Sequence, residues 1–417
     1  MSKIAKIEAE EIISSGGMPT VEATVVLDSG KRGTASVPFG ASAGEAEAVT
    51  LTDGDMDRYQ GKGMKLALTN IVGEIQSSLL RQEAGDQAEI DRIMIDLDGT
   101  RNKSRLGGNA ILAVSLPVAR AEAEEEGIPL YRYINKLWEG GDMAIPTPMV
   151  VMIEGGKHAD NSADFQEYLL IATGGADTRA RLETASEVYQ RLKIILEGEG
   201  FSTNVGNEGA LVPEGVSNNE KPLEYLTRAV GEMGLEISKD VNLGIDPAAS
   251  EFYDSGSKIY DLRIEHKKLL TNEMVEYYLQ LIGKYGLATV EDGLAESDWG
   301  GWQRLQERIG NIVNIGDDLT VTNVAKLQQA IETKAISGIV VKPNQVGTLT
   351  ETLECCRIAR KNGIKIVVSH RGGGETNDTF IADLAVAVGA EYLKCGIVRG
   401  ERVEKWNRVV EIEEEIS

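Results

Sequence analysis

Six apolar runs in the second half of the chain each finish on a residue able to do chemistry. They read VNLGID to Asp246, LATVED to Glu291, IVNIGDD to Asp317, SGIVVK to Lys342, KIVVSH to His370 and EYLKC through Lys394. Short β-rich runs separated by helical stretches predict βα units around a parallel sheet. In a closed barrel the C-terminal strand ends open onto one face, where active sites form. Three carboxylates, two lysines and a histidine are therefore expected at one mouth, as a metal site with bases beside it.

At 417 residues the chain is too long for one simple core, and two domains are expected. A net charge of −23 argues against nucleic acid or anionic membrane as a partner, because both would be repelled. A small anionic substrate would need local cations, which metal ions at the three-acid cluster could supply. Cys355, Cys356 and Cys395 have no metal-type spacing and suggest a reducing compartment. The start, MSKIAKIEAEEI, lacks an apolar signal region, and no run reaches membrane-spanning length. A cytoplasmic location is the expectation.

Residues 1 to about 38 alternate in β fashion across KIEAEEII, TVEATVVL and GTASVPF, with turns at SSGGMP and DSGKRG. This predicts an antiparallel meander of three strands. Helical spacing follows from Gly61 to about Gly127, through MKLALTNIVGEIQSSLL and NAILAVSLPVARAEAEEE, with a kink expected at Pro117. IPLYRYI and AIPTPM mark the crossing to the second domain near residues 128–148. The expected architecture is α/β: an N-terminal α+β capping domain over residues 1–137 and a C-terminal (β/α)8 barrel over 138–417.

Asp246, Glu291 and Asp317 are hard oxygen donors without nearby Cys or clustered His, which favours Mg²⁺. Lys342 beside metal ions and another cation could have its pKa lowered enough to act as a base. Lys394 could hold an anion or a developing oxyanion. Arg371 in the turn His370 to Gly374 can fork onto phosphate, and successive Gly N–H groups make an anion nest. His158 lies in the polar loop EGGKHADNSADFQE with Gln166 and Glu167, whereas His266 reads as a surface residue. Glu208, in VGNEGALVP, reads as a general acid.

These residues sit in blocks that resemble the enolase family over nearly the whole chain. The blocks include PTVEATV, GASAG, LDGTRNKSRLGGNAILAVS, GGKHADNSADFQE, VGNEG and GIDPAASEFY. VEDGLAESDW, GDDLTVTN, VKPNQVGTLTET, SHRGGGETNDTFIADL and LKCG continue them in the family's order. The resemblance implies a small α+β domain capping a modified TIM barrel whose first strands are antiparallel. It implies reversible dehydration of 2-phosphoglycerate to phosphoenolpyruvate with two Mg²⁺. Asp246, Glu291 and Asp317 would hold the first Mg²⁺, and Ser42 in the GASAG loop would join the second as that loop closes. Lys342 would take the carbon-bound proton, and Glu208, assisted by Glu167, would protonate the departing hydroxide. Lys394 and Gln166 would hold the carboxylate, Arg371 with Gly372 the phosphate, and His158 and His370 would complete the pocket. A homo-oligomer, dimer or larger, is also implied.

The departures from the family pattern cluster at the site. D-S-R-G-N-P-T reads Ser14-Ser15-Gly16-Gly17-Met18-Pro19-Thr20, and the closing loop carries Phe39. D-E-G-G reads Asn207-Glu208-Gly209-Ala210, and S-H-R-S-G-E-T gains a residue as Ser369-His370-Arg371-Gly372-Gly373-Gly374-Glu375-Thr376. Cys395 replaces a Thr, and the usual C-terminal tail is missing. An enolase-like paralogue with a second phosphorus-bearing partner, such as carboxyphosphonoenolpyruvate synthase, is the alternative, with Phe39 and the Gly372–Gly374 turn making the room. A non-catalytic binding protein is disfavoured because Lys342, Lys394, Glu208 and the three acids are all present.

Overall fold

The computed structural model describes residues 2–40, 47–139 and 141–417. Strands β1 (Ile4–Ile13), β2 (Pro19–Leu27) and β3 (Arg32–Ser36) pair antiparallel in chain order, as the alternation predicts. Their apolar face packs on the helix Gly108–Glu126. That helix is buried at every position from Gly108 to Ala119, because the sheet covers one side and barrel helices cover another. Being covered on all sides explains why its sequence is apolar all round. It runs through Pro117 without a break. Within MKLALTNIVGEIQSSLL, Lys65–Asn70 and Gln76–Leu79 are α-helical and Ile71–Ile75 form a π turn between them. In the crossing segment, Leu130–Trp138 form a helix that buries Tyr131, Tyr133, Ile134 and Trp138.

The barrel is built from β4 (Thr147–Glu154), β5 (Glu167–Ala172) and β6 (Val241–Asp246). A small surface sheet follows: β7 (Tyr253–Asp254), β8 (Ile259–Leu262) and β9 (Lys267–Leu269). The barrel then continues with β10 (Leu287–Glu291), β11 (Val313–Gly316), β12 (Gly338–Val341), β13 (Lys365–Ser369) and β14 (Tyr392–Gly396). It closes in the order β10-β11-β12-β13-β14-β4-β5-β6. All neighbours are parallel except at β5, which runs antiparallel to both β4 and β6. Met149, Val151, Leu169, Ile171, Val313, Ile315, Val340 and Val367 fill the barrel, while the larger core lies between barrel and helices. No described helix is long and apolar enough to cross a membrane.

The capping domain is tied to the barrel through polar groups as well as apolar ones. Asp91, fully buried on the helix Gln87–Asp98, accepts the N–H (2.9 Å) and the hydroxyl (2.6 Å) of Thr350 in the first turn of the barrel helix Leu349–Lys361. Ser115 accepts the adjacent Leu349 N–H at 2.9 Å. Burial pushes the Asp91 carboxyl up to about 6, against these hydrogen bonds. Because that value lies above the ordinary one, folding favours the protonated form. The resulting stability is complete below the ordinary carboxylate pKa and is lost as pH rises through 6. Asp91→Asn removes the titration but keeps an acceptor for Thr350. The unfolding free energy of the variant relative to the parent should therefore rise by about 1–3 kcal/mol between about pH 3.5 and about pH 7. Urea midpoints across that range measure it, and a pH-independent difference would contradict it.

Candidate active site

Reversal of β5 changes which of its residues faces the mouth. The parallel strands bring their last residues there, whereas β5 brings its first. Register pairs Glu154 with Glu167 and Glu167 with Asp246, so the three acids stand side by side on β4, β5 and β6. Glu291 ends β10, Asp317 and Lys342 directly follow β11 and β12, and His370 directly follows β13. The six run ends of the sequence thus meet at one mouth, joined by Glu154 and Glu167. All of these except Glu154 and Glu291 border a cavity of about 310 Å³.

Lys394 crosses the barrel from β14. Its ammonium lies 2.7 Å from Glu167, 3.0 Å from Asp246 and 2.7 Å from Glu291. All four side chains are almost completely buried. Burial alone would strip the proton from Lys394, but Asp246, Glu167 and Glu291 outweigh it and hold the ammonium well above its ordinary range. Lys342 forms a close ion pair with Asp317, whose other oxygen accepts from the Gln345 amide at 2.9 Å. Burial pushes the Lys342 pKa down, but the Asp317 charge raises it above the ordinary value. Asp317 faces Lys342 directly and outweighs the opposing charges of Arg371 and Lys394, so the lowering expected beside metal ions depends on what Asp317 holds. Arg371 faces Glu47 at 3.4 Å, a buried acid contributed by the capping domain.

Across the mouth, Glu167 and Glu208 share a cluster with His158 whose facing atoms lie within 4.8 Å of one another. Two buried carboxyls this close cannot both ionise cheaply. Burial and then the Glu208 charge hold Glu167 well above the carboxylate range. Burial also pushes Glu208 upward, but His370, His158 and Lys394 together hold it well below that range. The pair's proton is thus held toward Glu167. His370 Nε2 lies 3.3 Å from Glu208, and Arg402 donates to His370 Nδ1 at 3.3 Å. That donation makes Nδ1 the acceptor and leaves the proton on Nε2, the nitrogen nearer Glu208. Burial holds both His158 and His370 below the ordinary histidine value, against the Glu208 charge.

Gln166, Arg371 and Gly372 line the same cavity. Gly372 is required there, since a Cβ at this position would stand 2.6 Å from the Glu208 carboxylate and 2.9 Å from His158. The turn it opens is held from the capping domain. Phe39 N–H donates to Gly374 O at 2.7 Å, Ser15 N–H to Glu375 O at 2.8 Å, and Glu375 N–H to the Ser15 hydroxyl at 3.0 Å. Phe39 itself is buried in the core and does not border the cavity. The expectation that Phe39 makes room in the pocket is thus overturned, whereas Gly372 and Gly373 of the turn do border the cavity. The ring packs into the core, and the glycine turn lies against Glu208 and His158. Ser42 lies outside the described residues. His266 is exposed on the small surface sheet, as expected.

Five groups at the site were not singled out in the sequence. Asp292 and Asp318 stand next to Glu291 and Asp317 as doubled acids, a visible signal. Asp292 accepts the N–H groups of Asp317 (3.0 Å) and Asp318 (2.8 Å) and so fixes the turn after β11. Glu154 ends the apolar run MVVMIE, the same pattern as the other six. Glu47 follows the GASAG loop, and Arg402 has no sequence signal. A wider open cleft of about 900 Å³ lies elsewhere between β3 and the C-terminal helix, but its buried charges are already paired as Arg120–Asp378 and Arg408–Asp383.

Nine carboxylates and four cationic side chains line the cavity. The excess of acid shows in the proton affinities around it. Burial first and then neighbouring acids raise Asp292 well above the carboxylate range and Asp318 to about 7, and burial raises Glu291 despite Lys394 beside it. Clustered acids of this kind could hold cations. A closed barrel with such a mouth, capped by a separate α+β domain, defines a lyase of the enolase superfamily. Residues 142–417 match the family model described as the enolase C-terminal TIM barrel domain, and residues 4–134 match the enolase N-terminal domain. The chain belongs to the enolase family.

Arg402 both orients His370 and, by its charge, lowers its proton affinity. Arg402→Met should therefore raise the His370 titration midpoint in the folded protein. With three histidines in the chain, ring-proton NMR can follow each. An unchanged midpoint would remove Arg402 from this role.

Proposed function

We propose that the protein dehydrates 2-phosphoglycerate reversibly to phosphoenolpyruvate, with Lys342 as base and Glu208 as acid. The observation that carries this reading is their placement. In the ring order β12 and β5 are four strands apart among eight, so Lys342 stands across the mouth from the Glu167–Glu208 pair. An elimination that removes a proton from one face and hydroxide from the other needs this arrangement. Glu208, ionised at rest, relays to the departing hydroxyl the proton held toward Glu167. Lys394, almost completely buried at the cavity, presents its charge to a substrate carboxylate, while Arg371 and the Gly372 turn receive phosphate.

The donor set fits Mg²⁺. Asp246, Glu291 and Asp317 offer only hard oxygens, and Glu291 Oε2 is buried without a hydrogen-bond partner among the described residues. These three side chains would hold the ion. When bound, Mg²⁺ supplies positive charge that stabilises negative charge growing on the substrate carboxylate. With Asp317 holding the ion, its charge would no longer favour the Lys342 ammonium, and Arg371 and Lys394 would lower that lysine toward the range of a working base.

The alternative with a second phosphorus-bearing partner needs space beside the turn. Phe39 is buried, and Gly372 lies against Glu208 and His158, which favours the single-substrate reaction. Formation of phosphoenolpyruvate from 2-phosphoglycerate should appear by ultraviolet absorbance with Mg²⁺, vanish on chelation and return on readdition. Added phosphonoformate should leave the product unchanged. Absence of turnover by folded protein with excess Mg²⁺ would refute the reading. Lys342→Ala should lower turnover by about 10²–10⁴-fold and abolish exchange of the carbon-bound proton with solvent. Persistent exchange would exclude Lys342 as the base.

A further inference from the structure

Glu154 ends β4 at the mouth of the barrel yet does not border the cavity. It is fully buried, and one oxygen does two tasks: Oε1 accepts the N–H of Glu208 at 2.9 Å and that of Ala210 at 2.8 Å. Between these residues Gly209 takes a left-handed conformation (φ 87°), and its carbonyl accepts the Tyr189 hydroxyl at 3.1 Å. On the other side, the Glu208 carbonyl lies so close to β14 that a Cβ on Gly396 would stand 2.0 Å from it. The main chain of Glu208 is thus gripped from β4 and wedged against β14, while its carboxylate reaches His370 and the cavity. The second oxygen of Glu154 sits against Gly206, where a Cβ would stand 2.4 Å away, and has no hydrogen-bond partner among the described residues.

We propose that Glu154 is a positioning residue for Glu208, fixing the turn that presents the acid to substrate. The inference rests on the reading of Glu208 as the group that serves the departing hydroxyl. A neutral acid suits the task, since an ionised one would add a second negative charge behind Glu208. Charged or titratable groups around it include Glu208, Arg402 and Tyr189, and Glu167 stands opposite it in the β4–β5 register. Burial, followed by the Glu208 charge, pushes Glu154 up to about 8, with Arg402 opposing. A glutamine is therefore the conservative replacement: it keeps the acceptor, the shape and the neutrality. A leucine keeps the shape and loses the acceptor.

The test compares Glu154→Gln and Glu154→Leu in the full chain, with Glu154→Met replacing the leucine variant if that does not fold. Amide hydrogen exchange over residues 205–211 reads the grip directly. With 2-phosphoglycerate and Mg²⁺, solvent exchange of the carbon-bound proton reads Lys342, and phosphoenolpyruvate formation reads both ends of the reaction. In the leucine variant, loss of the two acceptor bonds should speed amide exchange about 10-fold or more. Phosphoenolpyruvate formation should fall about 10–100-fold while carbon-proton exchange stays within about 3-fold. The glutamine variant should match the parent in all three. Unchanged amide exchange in the leucine variant overturns the proposal, as does a folded glutamine variant no better than leucine, or equal loss of both chemical readouts. A folded parent that performs neither reaction refutes the proposed function instead, and amide exchange then still decides whether Glu154 holds the turn.

Discussion

The contact on which the rest of the site depends is the buried ammonium of Lys394 among Glu167, Asp246 and Glu291. Three carboxylates inside a barrel would repel one another and resist leaving water. One lysine reaching across from β14 touches all three, so the strands bearing them can close around it. Removing that lysine would leave buried acids without compensation, a cost far above that of an exposed ion pair. The same contact places a buried cation at the cavity, where a substrate anion can meet it.

Charge at the mouth is therefore incompletely balanced, and the imbalance sorts the acids. Asp317, paired with Lys342, and Glu208, beside two imidazoles, are held ionised. Burial and neighbouring acids hold Glu167, Glu291 and Asp292 toward their protonated forms, the first two even against Lys394. Identical chemical groups acquire different roles through their neighbours alone. Glu208 is the clearest case, since His370, His158 and Lys394 together hold it low against its own burial.

Much of this is legible in the strand rhythm. A parallel strand that ends on an ionisable residue must deliver it to the mouth, so the apolar runs alone point to Asp246, Glu291, Asp317, Lys342, His370 and Lys394. Glu167 cannot be placed by that rule, because it opens a reversed strand and strand direction leaves no trace in apolar alternation. Glu154 obeys the rule and is still easily passed over, as its run lies before the repeating units become regular. Phe39 is illegible for another reason: an aromatic residue at a loop looks the same whether its ring faces a pocket or a core. Pair geometry is equally hidden. The spacing of Lys342 and Asp317 says nothing of their salt bridge, and so nothing of the direction in which the lysine's proton affinity moves. In the crossing segment, the apolar spacing of Leu130–Trp138 is visible, but the flanking prolines obscure the helix.

The turn after β13 belongs to the barrel by sequence, yet its backbone is fastened by Ser15 and Phe39 of the cap. Neither half of the chain holds a finished pocket. A cap exchanged for that of a relative would therefore have to bring along a matching turn, and a change of length in one would be tolerated only with a partner change in the other. Gly16 and Gly373 illustrate that mutual dependence: a Cβ on Gly16 would stand 1.9 Å from the Gly373 carbonyl oxygen. The two domains can be drawn separately, but at this seam they can change only together.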